Sequence, residues 1–425
     1  MPRKKNKNRK RNAARKRYPA RKAVVKSLRE AVANLKMFPG ETKGAKGGEN
    51  KIGGHKIIKL GEGGYGIAYK VFSRSLGKFV VLKQPLNGSD STKPGEILYY
   101  RKYWAENLGS SALVEPYYAD DRVVVLEYCE GGDLEAMNSG RKRETIERNF
   151  LALMKALVRL HSLGIAHRDI KPANMLLTDG RVKLADFGLC GQIQKDGLST
   201  NCYGTPDYLS PELTLQGAYI NRDIDKLPEN FATSPELDDT WAIGIAFFEL
   251  VTGKHPSKLF PSASGMDLEP LPLAIRIIRE PDWWNGLISG ELERLEPPAG
   301  ELEKYALMAM LNPLRMEAVP IREVLARFEE ISSKYPEEYE RLNEVKTGDE
   351  KITRKEPIPP LLKLRSAVYG MLEMVNSMFR PRAPRAGTDC RSVLADPGLL
   401  EEIAQEIDEG TSATVTGGKA ELMGK

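Results

Sequence analysis

The sequence predicts an α+β fold in two lobes, a small antiparallel β-sheet lobe carrying one helix and a larger, mainly helical lobe. Three observations carry that reading. Strand-like runs dominate residues 57–127, helical periodicity takes over from residue 134, and the glycine pattern near residue 61 is followed by a strand where a dinucleotide-binding fold would need a helix.

The chain of 425 residues opens with a block that cannot build a core. Residues 1–30 hold 14 Lys and Arg against one acid, Glu30, a charge of +13, while the remainder carries 50 bases against 57 acids. Such a block repels itself and has almost no apolar surface to bury. It reads as a disordered tail that contacts a polyanion (RNA, DNA or acidic lipid) or acts only as a solubilising arm. A weak helical period at 23–37 and the Gly/Lys linker "PGETKGAKGGENKIGG" complete residues 1–54.

The sheet lobe begins near His55. In "LGEGGYGIAYK" the glycines at 61, 63 and 66 fit G-x-G-x-x-G, a pattern that cradles phosphates either at a helix N-terminus or in a turn between antiparallel strands. Ile67 to Phe72 are alternating, β-branched or aromatic and have no helix cap, so they form a strand; after a turn at Ser75, Leu76 and Gly77 the run "KFVVLKQ" forms another. The result is a meander. One helix is expected over residues 95–106, and "VVVLEYCEGGDL" reads as a last strand leading into a connector.

The helical lobe holds "ERNFLALMKALVRLHSLG", a long amphipathic run stopped by Gly164, and continues to about residue 331. Its most apolar stretch, "WAIGIAFFELV", is interrupted by Glu249 and falls short of the ~18 residues that span a bilayer, so no transmembrane segment is expected. "ITRKEPIPP" is a linker. Beyond it Leu361, Leu364, Val368, Met371, Leu372, Val375, Met378 and Phe379 follow helical spacing, ahead of "RPRAPRAGT" and a short acidic helix near 399–407. That stripe packs against the body or lies on a membrane. The division is therefore a tail and linker at 1–54, a globular domain at 55–333 and a C-terminal extension with an amphipathic helix at 334–425. Cys129, Cys190, Cys202 and Cys390 form no C-x-x-C pair and no signal segment precedes them. A reducing compartment without structural zinc is expected, cytoplasmic or, through the basic tail, nuclear.

The strongest chemical signal is "HRDIKPANMLLTDGRVKLADFG", with Asp169 and Asp186 standing 17 positions apart. H-R-D-x-K-P-x-N and D-F-G are both complete, and over residues 55–333 the chain resembles a eukaryotic-type serine/threonine protein kinase. The resemblance implies a two-lobed kinase fold that uses ATP and Mg²⁺ to phosphorylate protein substrates. Phosphoryl transfer spreads negative charge over the γ-phosphate oxygens, so the site supplies cations and positioning more than covalent help.

By that resemblance Asp169 accepts or orients the proton of the attacking hydroxyl and Lys171 neutralises the γ-phosphate, while Asn174 and Asp186 hold magnesium through hard oxygens. Lys83, 17 residues after Gly66 in "VVLK", binds the α- and β-phosphates and pairs with Glu96, with Glu106 as competitor. Leu60, Gly61, Gly63 and Gly66 form the lid, Ala68 and Val81 the roof over adenine, and Leu126 the gatekeeper. The carbonyl of Glu127 and backbone of Cys129 bond the base, and Leu176 forms its floor. Cys129 and Cys190 are taken as small packed side chains, since nothing nearby activates a thiol.

"GTPDYLSPE" matches the substrate-docking end of an activation segment, with Ser210 where alanine is usual. Thr205 together with Lys171 marks the serine/threonine class. Glu212 is expected to pair with Arg315, and Asp239 to hold the catalytic loop. The usual activating phosphosite falls on Asn201, flanked by Thr200 and Ser199; Arg168, which would receive a phosphate, is present. The segment either carries one at Ser199 or Thr200 or stays ordered without it. "AYINRDIDKLPENFATS" reads as a polar surface insertion. Ala68 and Val81 exchange the valine and alanine of the family pattern, a swap that conserves pocket volume. The alternatives are a pseudokinase scaffold, a small-molecule phosphotransferase of the same fold, and a kinase whose basic tail binds nucleic acid.

Overall fold

The computed structural model describes residues 50–52, 55–63, 66–73, 77–84, 94–105, 112–119, 123–137, 139–221, 223–224, 231–259, 270–313, 318–344 and 388–389. The basic tail, the stripe from Leu361 to Phe379, the acidic stretch at 399–407, Glu106, Arg315 and Cys390 lie outside them. Two compact units divide the chain: one comprises residues up to 103 with 114–130, the other 104–113 with 131 onward.

The first unit is a six-stranded sheet in the order β1-β2-β3-β4-β6-β5. Its strands are β1 (Asn50–Ile52), β2 (His55–Gly63), β3 (Gly66–Ser73), β4 (Lys78–Gln84), β5 (Pro116–Ala119) and β6 (Val124–Glu127). All pairings are antiparallel, and Gly63 faces Gly66 across the β2–β3 turn, so the glycine pattern sits in a hairpin. A register shift between Lys59 and Gly61 bends β2 where the glycines begin. Alternation sorts the faces. Ile57, Val71, Val80, Leu82, Val123 and Val125 bury one side, while Ala68 opposite Lys83 and Val81 opposite Leu126 occupy the other. The one helix here among the described residues, α1 (Pro94–Ala105), is anchored by the Tyr99 hydroxyl, which donates to the Val114 carbonyl at 2.7 Å.

The second unit is built on two buried helices, α2 (Ser139–Ser162) and α4 (Pro235–Thr252), with α3 (Pro211–Asn221) between them in the chain. Gly164, at φ 70°, stops α2 as its sequence foretold. The run "WAIGIAFFELV" lies within α4 and is buried at nearly every position, so its apolar character serves a protein core. Phe150 of α2 packs on Phe247 of α4 with centroids 4.5 Å apart, and Gly244 admits Met310 and Leu311, whose side chains a Cβ there would strike. Around this pair lie α5 (Pro270–Arg279), α6 (Pro281–Glu293), α7 (Glu301–Met310), α8 (Ile321–Ile331) and α9 (Pro336–Leu342). The last of these extends the described helices beyond residue 333. No helix among the described residues is long and apolar enough to cross a membrane.

Short strands carry the loops: β7 (Ile165–Ala166) pairs with β10 (Gly191–Gln192), and β8 (Met175–Thr178) with β9 (Arg181–Leu184). The described ends of the insertion are not wholly the polar surface loop that its composition suggests. Its start extends α3, and its end supplies β11 (Phe231–Ala232) and Thr233, each of these three residues at most 3% exposed. Phe231 packs with Leu215, Ala218, Ile224 and Ile275; a mainly polar segment hid one apolar anchor. β11 pairs in parallel with β12 (Thr388–Asp389), which belongs to the C-terminal extension.

Candidate active site

In the second unit, one buried carboxylate fixes the catalytic loop. Asp239, 1% exposed, accepts the main-chain amides of His167 and Arg168, each at 2.7 Å, and lies 2.8 Å from His161 Nε2. Burial alone would raise its pKa. The hydrogen bond to His161, the nearby imidazoles and the Arg168 amide outweigh that and hold the carboxyl below its ordinary range. The Asp169 amide donates to His167 Nδ1 at 3.3 Å, which leaves the ring proton on Nε2 to bond the Ala185 carbonyl at 3.0 Å. Burial pushes the His167 pKa down, so the ring is a neutral tie between the two motif loops.

Both loops carry non-glycine residues in the left-handed region, Arg168 at φ 68° and Asp186 at φ 58°. Such conformations cost about 1–3 kcal/mol and persist only where surrounding bonds hold them. They cluster at functional sites.

Asp169 is the centre of a hydrogen-bonded group. The Thr205 hydroxyl donates to its Oδ1 at 2.7 Å, and the Asn174 amide donates to its Oδ2 at 3.0 Å and to its main-chain carbonyl at 2.7 Å. Lys171 Nζ donates to Thr205 Oγ1 at 2.6 Å and lies 3.2 Å from Asp169 Oδ2. Three residues predicted from two separate motifs thus meet around the Asp169 carboxylate. Because the Asn174 nitrogen is engaged by Asp169, its carbonyl oxygen remains for another ligand. That oxygen and the Asp186 carboxylate are the hard donors that Mg²⁺ takes, so the residues present fit the ion.

In the first unit Lys83 Nζ lies 3.0 Å from Glu96 Oε1, with the carboxylate side chain 9% exposed. Glu96 is thus a partner of Lys83, while the competitor Glu106 lies outside the described residues. Ala68 and Val81 are half-buried on the face that carries Lys83, Leu126 is 6% exposed, and Leu60 is 46% exposed on the bent strand. The Glu127 carboxylate accepts the Glu115 amide at 3.0 Å. In the second unit Gly131 approaches β8 so closely that a Cβ would stand 2.7 Å from the Leu177 carbonyl, seating the chain beside Leu176.

Residues 55–269 match the protein kinase domain family. The chain belongs to the serine/threonine protein kinase family. It is 33% identical over 277 residues to human serine/threonine-protein kinase PAK 4, covering 60% of this chain and 43% of that protein. To cyclin-dependent kinase-like 1 of Caenorhabditis elegans it is 30% identical over 266 residues, 58% of this chain and 70% of that protein. To rabbit Rho-associated protein kinase 1 it is 33% identical over 220 residues, 48% of this chain and 15% of that protein. The chain thus spans less than half the length of PAK 4.

Two features of the kinase domain escaped sequence reasoning. Ser210, in place of the usual alanine, is buried and donates to Asp238 Oδ1 at 2.6 Å while accepting the Leu213 amide at 3.1 Å; Thr233 Oγ1 donates to the other Asp238 oxygen at 2.8 Å. The departure at 210 was visible in the sequence, but its partner was not. The second is a charged cluster of Arg143, Glu147, Glu303 and Arg341 drawn from α2, α7 and α9. No motif marks it. Cys129 and Cys190 are buried, as read, and burial pushes the Cys202 thiol up to about 11. Glu212 is buried at the start of α3.

Proposed function

We propose that this chain transfers the γ-phosphate of ATP to serine and threonine hydroxyls of protein substrates. The observation that carries the proposal is the convergence of Thr205, Lys171 and Asn174 on Asp169. Asp169 orients the attacking hydroxyl and takes its proton as the new P–O bond forms and the bond to the ADP oxygen breaks. Asn174 and Thr205 hold both carboxylate oxygens so that this geometry exists before substrate arrives. Lys171 stabilises negative charge on the transferring group. Lys83, oriented by Glu96, binds the α- and β-phosphates; Leu60, Gly61, Gly63, Gly66, Ala68, Val81, Leu126, Glu127, Cys129 and Leu176 receive the nucleotide. Asn174 and Asp186 would hold Mg²⁺, which supplies charge neutralisation at the phosphate oxygens.

The test is transfer of labelled γ-phosphate to a generic basic protein by wild type and Asp169→Asn, followed by phosphoamino-acid analysis. A fall of roughly 10²- to 10⁴-fold with label on serine and threonine is expected; incorporation unchanged by the substitution would defeat the assignment and favour a scaffold or contaminant. Charge favours a second activity. The +13 at residues 1–30 contacts a polyanion, RNA, DNA or acidic lipid, in a cytoplasmic or nuclear setting. Deleting residues 1–45 and measuring RNA retention at two salt concentrations tests it, because phosphate contacts weaken steeply with salt.

A further inference from the structure

We infer that Tyr203 is a positioning residue for the catalytic loop, its ring covering the Arg168 guanidinium so that the activation segment is ordered without a phosphate. This rests on the kinase reading above. Arg168 directly precedes Asp169, and its guanidinium carbon lies 5.1 Å from the Tyr203 ring centroid, within cation–π range. Among the described residues it pairs with no carboxylate. Its place is enforced from below by Gly191, where a Cβ would collide with the guanidinium. A planar cation held between a bare backbone and an aromatic face is already engaged, and it carries the strained backbone at 168 that leads into Asp169.

The rest of the segment is held by bonds that need no phosphate. Ser199 and Thr233 exchange amides and carbonyls at 2.8 and 2.9 Å. Gln216 Nε2 bridges the Ser199 and Phe231 carbonyls at 3.2 and 3.0 Å, and Cys202 Sγ lies 3.5 Å from the Leu213 carbonyl. Tyr208 donates to Glu249 at 2.6 Å. The Ser199 hydroxyl is tied into a turn with Asn201, accepting the Asn201 amide at 3.3 Å. The insertion that supplies Phe231 and Thr233 therefore anchors the segment where another kinase would rely on phosphate. Tyr203 supplies a neutral, permanently present partner for the arginine.

The experiment uses the full chain, treated with phosphatase, and compares wild type, Tyr203→Phe, Tyr203→Leu, Arg168→Met and the Arg168→Met/Tyr203→Leu double variant. Wild type is expected to keep its kcat after phosphatase treatment, and Tyr203→Phe to stay within about twofold of it, because the ring is retained. Tyr203→Leu should lose about tenfold in kcat with KM for ATP unchanged, and should cost little more once Arg168 is gone. Hydrogen exchange at residues 195–204 in an Asp169→Asn background, which cannot phosphorylate itself, reads the same ordering without activity: Tyr203→Leu loosens the segment and Tyr203→Phe does not. Loss of wild-type activity on phosphatase treatment, equal behaviour of Leu and Phe, or additive losses overturn the inference while leaving the kinase reading intact. A wild type that transfers no phosphate would overturn that reading instead, and the exchange measurement would still decide the role of Tyr203.

Discussion

Replacing Glu303 by glutamine should stabilise the protein at neutral pH and leave it almost unchanged in acid. Glu303, in the first turn of α7, is fully buried, and among the described residues neither carboxylate oxygen accepts a hydrogen bond. Its nearest cation, Arg341 Nη2, is 4.0 Å away and already engages Glu147 through Nη1 at 2.6 Å. Glu147 also takes Arg143 at 2.8 Å, and Glu338 caps α7 through the Leu302 and Glu303 amides at 3.1 and 2.9 Å. Burial, then the Glu147 charge, push the Glu303 carboxyl from 4.5 up to about 7, against the smaller pull of the two arginines. Below the unfolded value both states are protonated. Between 4.5 and about 7 the native state keeps a proton that the unfolded state has released, so stability falls as pH rises through this window and then levels off. That shift corresponds to about 3 kcal/mol at 1.36 kcal/mol per unit. Glutamine keeps the shape and is neutral throughout, so Glu303→Gln should exceed wild type by up to about 3 kcal/mol at pH 8, roughly 5 °C in Tm, and by little at pH 4.5. Thermal unfolding of both proteins across that range measures it. A stability difference that does not vary with pH would refute the reasoning.

Ser210→Ala should destabilise by about 1–3 kcal/mol, because it leaves a buried Asp238 oxygen and the Leu213 amide without their shared hydroxyl; urea unfolding checks this, and a neutral effect would show that water replaces it. Val81→Ala should weaken ATP binding, and adding Ala68→Val should restore much of it, measured as nucleotide Kd. The register pairs Ala68 with Lys83 and Lys70 with Val81, making 68 and 81 diagonal neighbours on one face, so a coupling of roughly 0.5 kcal/mol or more is expected, and strictly additive losses would remove the idea of a compensating swap.

Much of the sheet lobe was legible because its information is local. Period-two alternation, the Gly77 turn and the absence of a helix cap after Gly66 each act within a few residues, and the meander they imply is the one observed. The candidate catalytic residues stand out in the sequence for a related reason: phosphoryl transfer needs particular donors at short, fixed spacings, and Asp169, Lys171 and Asn174 sit on one loop and Asp186 on the next. The partner of Lys83 was less so, since only the docking of α1 beside β4 brings the Glu96 carboxylate to 3.0 Å from Lys83.

By itself, then, the sequence determined the fold class, the order of elements and the chemical types that carry catalysis, because periodicity and spacing are properties of a chain read along its length. The tertiary structure alone decided which distant groups share a desolvated place. Tyr203 reaches Arg168 across 35 positions, Ser210 reaches Asp238 across 28, and Glu303 is buried beside Glu147 from another helix. Whether a side chain keeps its proton, its charge or its partner depends on burial and on neighbours within a few ångströms. Those are set by how helices and loops pack.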